Sequence, residues 1–255
     1  MTVTMTRNAG TRVVRHPVQR FDWPATLTLH LLPAAAAFAA AFALGPPLRA
    51  LDLPPQFALT LAFAGVLVPI QLGLLLHAAH RVTGRWSLLA LPSVLAFQRR
   101  LPPRLYLMLL PSLAAIALGV AMLLDPVADA VAALYPAGWL LPPGSDAFPT
   151  GVLVATLLVT LFVDGLVSPV VQELYFRAYL LPRLPVRGGP AIVTSAALFA
   201  VQHYWQPQLF VFVFVAQLLL TAVMVRLDSV RVSIAAHCLI SSAATLVTLA
   251  AVLGS

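Results

Sequence analysis

Lysine is absent from this chain, and all 15 basic residues are arginine. Glutamate occurs once, at Glu173, and cysteine once, at Cys238. A single thiol excludes an internal disulfide framework. Charge of any sign is scarce: 9% of the 255 residues are charged and 61% are hydrophobic, where a soluble domain carries roughly 25% charged residues. Water cannot solvate so apolar a surface, so lipid has to cover much of it. The formal net charge of +7 would suggest nucleic acid in a soluble protein, but here the arginines fall between apolar runs. That placement is what membrane topology produces, so lipids are expected as partners and nucleic acid is not. No internal repeat stands out, and no low-complexity tract beyond Ala34 to Ala37.

What is there, almost end to end, is apolar segments of membrane-crossing length. About 20 such residues span the hydrocarbon core as a helix, and helices satisfy their own backbone groups there. The expected fold is therefore all-α, a polytopic membrane helix bundle of seven or eight transmembrane helices. The spans read as 25–45, 56–77, 105–124, 150–166, 168–185, 190–206, 208–226 and 232–253. The fourth and fifth are separated only by Asp164-Gly165 and Ser168-Pro169. That stretch is either two short helices or one kinked helix. The segment from Ala25 to Gly45 is as long as a full span and reads as a retained first helix rather than a cleaved signal.

Arginine placement favours one pass through 150–185 and an N-terminus inside. A basic tail (1–24) carries Arg7, Arg12, Arg15 and Arg20, and the loop after the second span carries Arg81, Arg85, Arg99, Arg100 and Arg104. The next loop carries Asp125, Asp129 and Asp146 with no arginine, and only Arg49 falls on the expected outer side. The stretch from Arg81 to Arg104, with Trp86, Leu88, Leu89, Leu91 and Val94, reads as an interfacial helix on the inner surface. The loop 125–150, with Tyr135 and Trp139, is expected along the outer interface. The chain thus divides into a basic cytoplasmic tail (1–24), N-terminal spans with an interfacial helix (25–149), and a C-terminal core (150–255). All-arginine, Ala/Leu/Pro-rich usage is that of a GC-rich bacterial genome, so a bacterial inner membrane is expected.

Polar groups interrupt the C-terminal spans. Glu173 lies at membrane depth, where a carboxylate costs several kcal/mol unless paired and is a functional candidate by default. Arg177 follows four residues later on the same helical face, so the bland reading is an ion pair that orients the helix. His203 follows Phe199 by four residues, and His237 precedes Ser241 by four. A lone intramembrane histidine is often a helix-to-helix hydrogen bond; two with a glutamate suit water activation or a divalent metal such as zinc. Glu173, His203 and His237 are then the ligands, if a metal is held. Glu173 and His203 each lie fifteen residues from Gly188, about 22 Å along two helical arms, whereas His237 lies about 14 Å along its own helix. Among the other histidines, His77 and His80 read as interfacial, His16 as a tail residue and His30 as a packing or snorkelling residue of the first span. Asp164, beside a glycine, reads as structural.

These segments, in this order, resemble the CAAX-protease and bacteriocin-processing family, also called the Abi family. Its motifs are Glu-Glu-x-x-x-Arg, Phe-x-x-x-His and His-x-x-x-Asn. Here they stand as Gln172-Glu173-x-x-x-Arg177, Phe199-x-x-x-His203 and His237-x-x-x-Ser241. The words Phe176-Arg177-Ala178-Tyr179-Leu180-Leu181-Pro182-Arg183 are close to the family's continuation. The resemblance covers about 150–245. It implies an intramembrane endopeptidase acting on a peptide or membrane-anchored protein. The first acid and the first histidine would activate a water, and the second histidine and the asparagine would hold the oxyanion. Gln172 and Ser241 stand where the family has an acid and an asparagine. Either Glu173 takes over as base, which needs a rotated or distorted helix, or the site has kept binding and lost hydrolysis. An immunity or scaffold protein is the binding alternative. A transporter is less well matched for want of an inverted repeat.

Overall fold

The computed structural model describes residues 19–134 and 148–254. Everything regular among them is helical apart from one isolated bridge between Gln98 and Ser229. In chain order the helices are α1 (Trp23–Arg49), α2 (Pro55–Thr83), α3 (Pro103–Ala132), α4 (Thr150–Arg183), α5 (Gly188–Val201), α6 (Phe210–Leu227) and α7 (Val230–Gly254). Six are long and apolar enough to cross a membrane; α5, at 14 residues, is shorter. Large apolar side chains such as Phe42, Leu107, Leu123 and Val247 cover the outside. The chain is a multi-pass, all-α membrane protein.

The alternative of two short helices in 150–185 is overturned, because α4 runs without a break from Thr150 to Arg183. Val163–Val167 form a π turn, and the α-helix resumes at Ser168 with Pro169 in its first turn. Proline deprives the carbonyl four residues back of its amide donor. That carbonyl belongs to Gly165, and Ser242 Oγ of α7 donates to it at 3.2 Å. The crossing is close: a Cβ on residue 165 would lie 2.9 Å from Ser242 Oγ. Glycine is what lets α4 and α7 meet here. α4 then opens into a second, longer π segment, Glu173–Leu180, before a 3-10 turn at Leu181–Arg183.

The segment expected as an interfacial helix takes another form. It has a six-residue 3-10 turn, Leu88–Ser93, followed by an irregular stretch. That stretch is fastened by backbone bonds from Ala96 N–H to Ala178, from Arg99 N–H to Asp228, and from Val230 N–H to Phe97. Arg183 Nη2 donates to the Val94 carbonyl at 3.1 Å, and Phe21 N–H to the Arg183 carbonyl at 2.8 Å. The start of α1, the loop after α2, the end of α4 and the α6–α7 turn therefore share one end of the bundle. These are the connections that carry most of the arginines, as the single-pass reading of α4 requires. Asp228, at φ 54, makes the tight turn into α7, and Gly84, at φ 70, closes α2. Tyr135, Trp139, Asp146 and the tail with His16 lie outside the described residues.

The core is aromatic where α4 meets α2 and α5. Tyr175, Phe176, Leu180, Phe199, Leu75 and Val213 form one buried cluster. His30 of α1 lies on it, 5.5 Å from the Phe176 ring, with Nδ1 donating to the Thr26 carbonyl at 2.7 Å. It packs as the sequence suggested. His77 and His80 contact Trp86, with His80 stacked on it at 4.6 Å.

Candidate active site

The π segment of α4 carries the acid. A π turn bonds i to i+5, so it holds more residues per turn than an α-helix and places successive side chains less than 100° apart. It begins at Glu173, directly after Gln172. This is the helix distortion that a shifted role for Glu173 would need. Glu173 and Arg177 are both wholly buried. Such charges survive only if paired and hydrogen-bonded, and their neighbours supply this. Arg177 Nε lies 3.5 Å from Glu173 Oε2, and His237 Nδ1 lies 2.9 Å from Glu173 Oε1. Arg177 Nη2 donates to Gln217 Oε1 on α6. The guanidinium carbon stands 4.0 Å from the Phe199 ring centroid, a buried cation–π contact of about 2 kcal/mol.

Phe199 is the hinge of the arrangement. Its ring centroid is 5.1 Å from that of His203 and 5.9 Å from that of His237. His203 lies just beyond α5, which ends at Val201. Its Nδ1 donates to the Phe199 carbonyl at 2.8 Å, and its ring meets Trp205 at 5.0 Å. A carbonyl only accepts, so His203 carries its proton on Nδ1 and leaves Nε2 as an acceptor. His237 bonds the Glu173 carboxylate through Nδ1, which turns its Nε2 away from the acid.

The depth count along two α-helical arms matched Glu173 with His203 and left His237 short. The structure joins Glu173 to His237, the residue that the count left short. Glu173 bonds His237 directly, and no hydrogen bond or ion pair joins it to His203 among the described residues. The arms are not both α-helical: one is a π segment and the other stops at Val201. Gln172 is buried beside Glu173. Ser241 lies one turn beyond His237 on α7, with its carbonyl accepting from Thr245 Oγ1 at 3.2 Å. Gln217 and Phe199 hold Arg177, and sequence reasoning missed both roles. Phe199 was read only as a motif letter, and a glutamine inside the apolar run of α6 was the one available signal for Gln217.

Arg177 Nη1 and both ends of the Gln202 amide are buried without a hydrogen-bond partner among the described residues, and Glu173 Oε2 has only the ion pair to Arg177. In an apolar interior such groups cost free energy unless matched. A recess between α3, α6 and α7, lined by Leu113, Ala117, Val120, Leu219 and Ile240, is apolar and carries none of these residues.

The residues do not fit a divalent metal. Zinc needs at least three nitrogen, sulfur or carboxylate ligands about 2.0–2.3 Å from one point. No three histidine, cysteine, aspartate or glutamate side chains converge in that way among the described residues. Glu173 is already committed to Arg177 and His237.

Residues 154–243 match a family model described as Type II CAAX prenyl endopeptidase Rce1-like. The match spans all three motifs and bears out the resemblance they carry. No curated protein and no solved structure matches this chain.

Proposed function

We propose that this chain is an intramembrane endopeptidase that hydrolyses peptide bonds of membrane-associated substrates with a water activated by histidine. The observation that carries the reading is the linked set Gln217–Arg177–Glu173–His237, with His203 across the Phe199 ring from it. Each imidazole is anchored through Nδ1, and each presents Nε2. A positioned base of this kind contributes roughly two to four decades in rate.

In this mechanism His203 Nε2 takes a proton from water as the water oxygen bonds to the scissile carbonyl carbon. His237, whose Nδ1–H is held by Glu173, accepts a hydrogen bond from the attacking water at its bare Nε2. The proton on His203 passes to the departing amide nitrogen as the carbon–nitrogen bond breaks, leaving a carboxylic acid and an amine, which exchange the remaining water proton to become carboxylate and ammonium. Glu173 and Arg177 are positioning residues: the acid orients His237, and the guanidinium balances the acid. Ser241, one turn beyond His237, stands where an oxyanion donor would be placed. Gln172 and Ser241 favour a second reading, in which the same fold binds a peptide or partner protein without cleaving it.

The test is cleavage of a membrane-anchored peptide by the protein in proteoliposomes. Wild type should cleave, and His203→Ala and His237→Ala should each lose about a hundredfold or more. Equal cleavage by wild type and both variants would sink the reading.

In the same proposal the chain sits in a bacterial plasma membrane with its N-terminus in the cytoplasm. Arginines gathered at one end of the bundle support this orientation. With Cys238 replaced, an impermeant thiol reagent added to intact cells should label a cysteine introduced at Asp129 and spare one at Arg100. The opposite pattern would invert the topology.

A further inference from the structure

Side by side in the bundle, α2 and α4 contain the same ten-residue pattern. Residues 60–69 read Thr-Leu-Ala-Phe-Ala-Gly-Val-Leu-Val-Pro, and residues 160–169 read Thr-Leu-Phe-Val-Asp-Gly-Leu-Val-Ser-Pro. Each copy has threonine, then glycine five residues on, then proline four residues after the glycine. Each also has a π turn in the same place, Phe63–Leu67 in α2 and Val163–Val167 in α4. The spacing forces the likeness: each proline withholds an amide from the turn before it, and the glycine removes side-chain bulk there. The repeat is too short to stand out in the sequence, but the fold packs the two turns against each other.

The two threonines meet at this junction. Thr60 Oγ1 and Thr160 Oγ1 are 3.0 Å apart, and Thr60 Oγ1 donates to Asp164 Oδ2 at 2.8 Å. Both threonines are buried. Asp164 occupies the position that Ala64 holds in the other copy, so the carboxylate is what breaks the symmetry. Its Oδ1 is buried with no hydrogen-bond partner, and no cationic side chain pairs with it among the described residues.

The proton count defines what is missing. The Thr60 hydroxyl proton goes to Asp164, which leaves the Thr160 hydroxyl to donate to Thr60. The lone pairs that remain, on Asp164 Oδ1, Thr160 Oγ1 and Thr60 Oγ1, are all acceptors. Such a set complements a cation, and its donors are hard oxygens. A single carboxylate balances a single positive charge, and a divalent ion would leave a buried excess. Matched helix interruptions by glycine and proline are also a recurrent way of building ion sites at membrane depth. We propose that Thr60, Thr160 and Asp164 form a binding site for a small monovalent cation, sodium, between α2 and α4. Asp164 lies nine residues before Glu173, about 13 Å along α4, so sodium here would fasten the helix that presents the acid.

The experiment reads binding and does not depend on proteolysis. Thermal unfolding of the purified full chain is followed in detergent at constant ionic strength, with sodium chloride exchanged against potassium or choline chloride. A ligand of the folded state raises the midpoint with its concentration. Sodium at 150 mM should raise the wild-type midpoint by about 3–6 °C over choline, and potassium by less. Asp164→Asn and Thr60→Val keep the shape of the side chains they replace, and both should fold and lose the sodium response. Equal midpoints in the three salts for wild type would overturn the site. So would a sodium response that persists in Asp164→Asn, or one replaced by a response to pH alone, which would mark Asp164 as a proton carrier.

Discussion

Arg177→Met is expected to cost about 3–5 kcal/mol of stability, the usual penalty for leaving a buried charge without its partner. Cleavage should be lost with it. Arg177 is wholly buried and serves Glu173, Gln217 and the Phe199 ring together. Methionine fills much of its volume but leaves the Glu173 carboxylate without its cation. The double variant Glu173→Gln/Arg177→Met removes both charges and should recover most of the stability, because a buried pair replaced by apolar or neutral groups is often close to neutral. It should recover no cleavage, since His237 then lacks the carboxylate that fixes its ring. Denaturation midpoints of the three variants form the cycle. If Arg177→Met is as stable as wild type, or if the double variant is no better than the single, the ion pair is not what holds this part of the helix. Arg177→Lys adds a finer test. It keeps the charge but lacks the fork and flat face that bond Gln217 and stack on Phe199. It should fall between wild type and Arg177→Met.

Most of the architecture was legible because lipid imposes a length. Spans 25–45, 56–77 and 105–124 correspond to α1, α2 and α3, and the structure extends them to Arg49, Thr83 and Ala132. The one uncertain division lay at Asp164-Gly165 and Ser168-Pro169, where sequence signals for a break are real but local. A π turn absorbs them at the cost of one widened turn, and Ser242 compensates the carbonyl that Pro169 orphans. Nothing in the apolar pattern of α4 reveals a partner supplied 77 residues later.

The site shows the same limit. Glu173 and Arg177 were readable as a pair from their spacing, and they do pair. Which histidine meets Glu173 depended on the pitch of α4 and on where α5 stops. An α-helical count fixes neither. Gln217 was not legible because a register on α6 has meaning only once α4 is packed beside it. The loop after α2 was misread as a helix because its apolar residues mimic an amphipathic pattern. Its backbone instead ties to Ala178, Asp228 and Val230.

Gln172→Glu should raise the rate of peptide cleavage by about a hundredfold, provided His203 is the working base. Gln172 is the last residue before the π segment and is buried beside the acid that holds His237. A neutral amide there can orient a water but cannot take its proton. A carboxylate at this position can take a proton, which the amide cannot. The change also buries a second negative charge, and Arg177 already serves Glu173 and Gln217. Stability should therefore fall by a few kcal/mol while the rate climbs, and that opposition marks a functional rather than a structural gain. Adding Ser241→Asn extends the donor one turn beyond His237. Restoring an oxyanion donor is worth roughly two to three decades where one is missing. The variants are assayed on the same membrane-anchored peptide, each with and without His203→Ala. A gain that disappears with His203 supports a weakened peptidase that one or two substitutions revive. If wild type already cleaves well and Gln172→Glu slows it, the arrangement with Glu173 on His237 is the efficient one, and Gln172 is its fitted neighbour. If neither wild type nor any of these variants cleaves, the linked charges serve to hold the fold, and the protein binds its partner without cutting it.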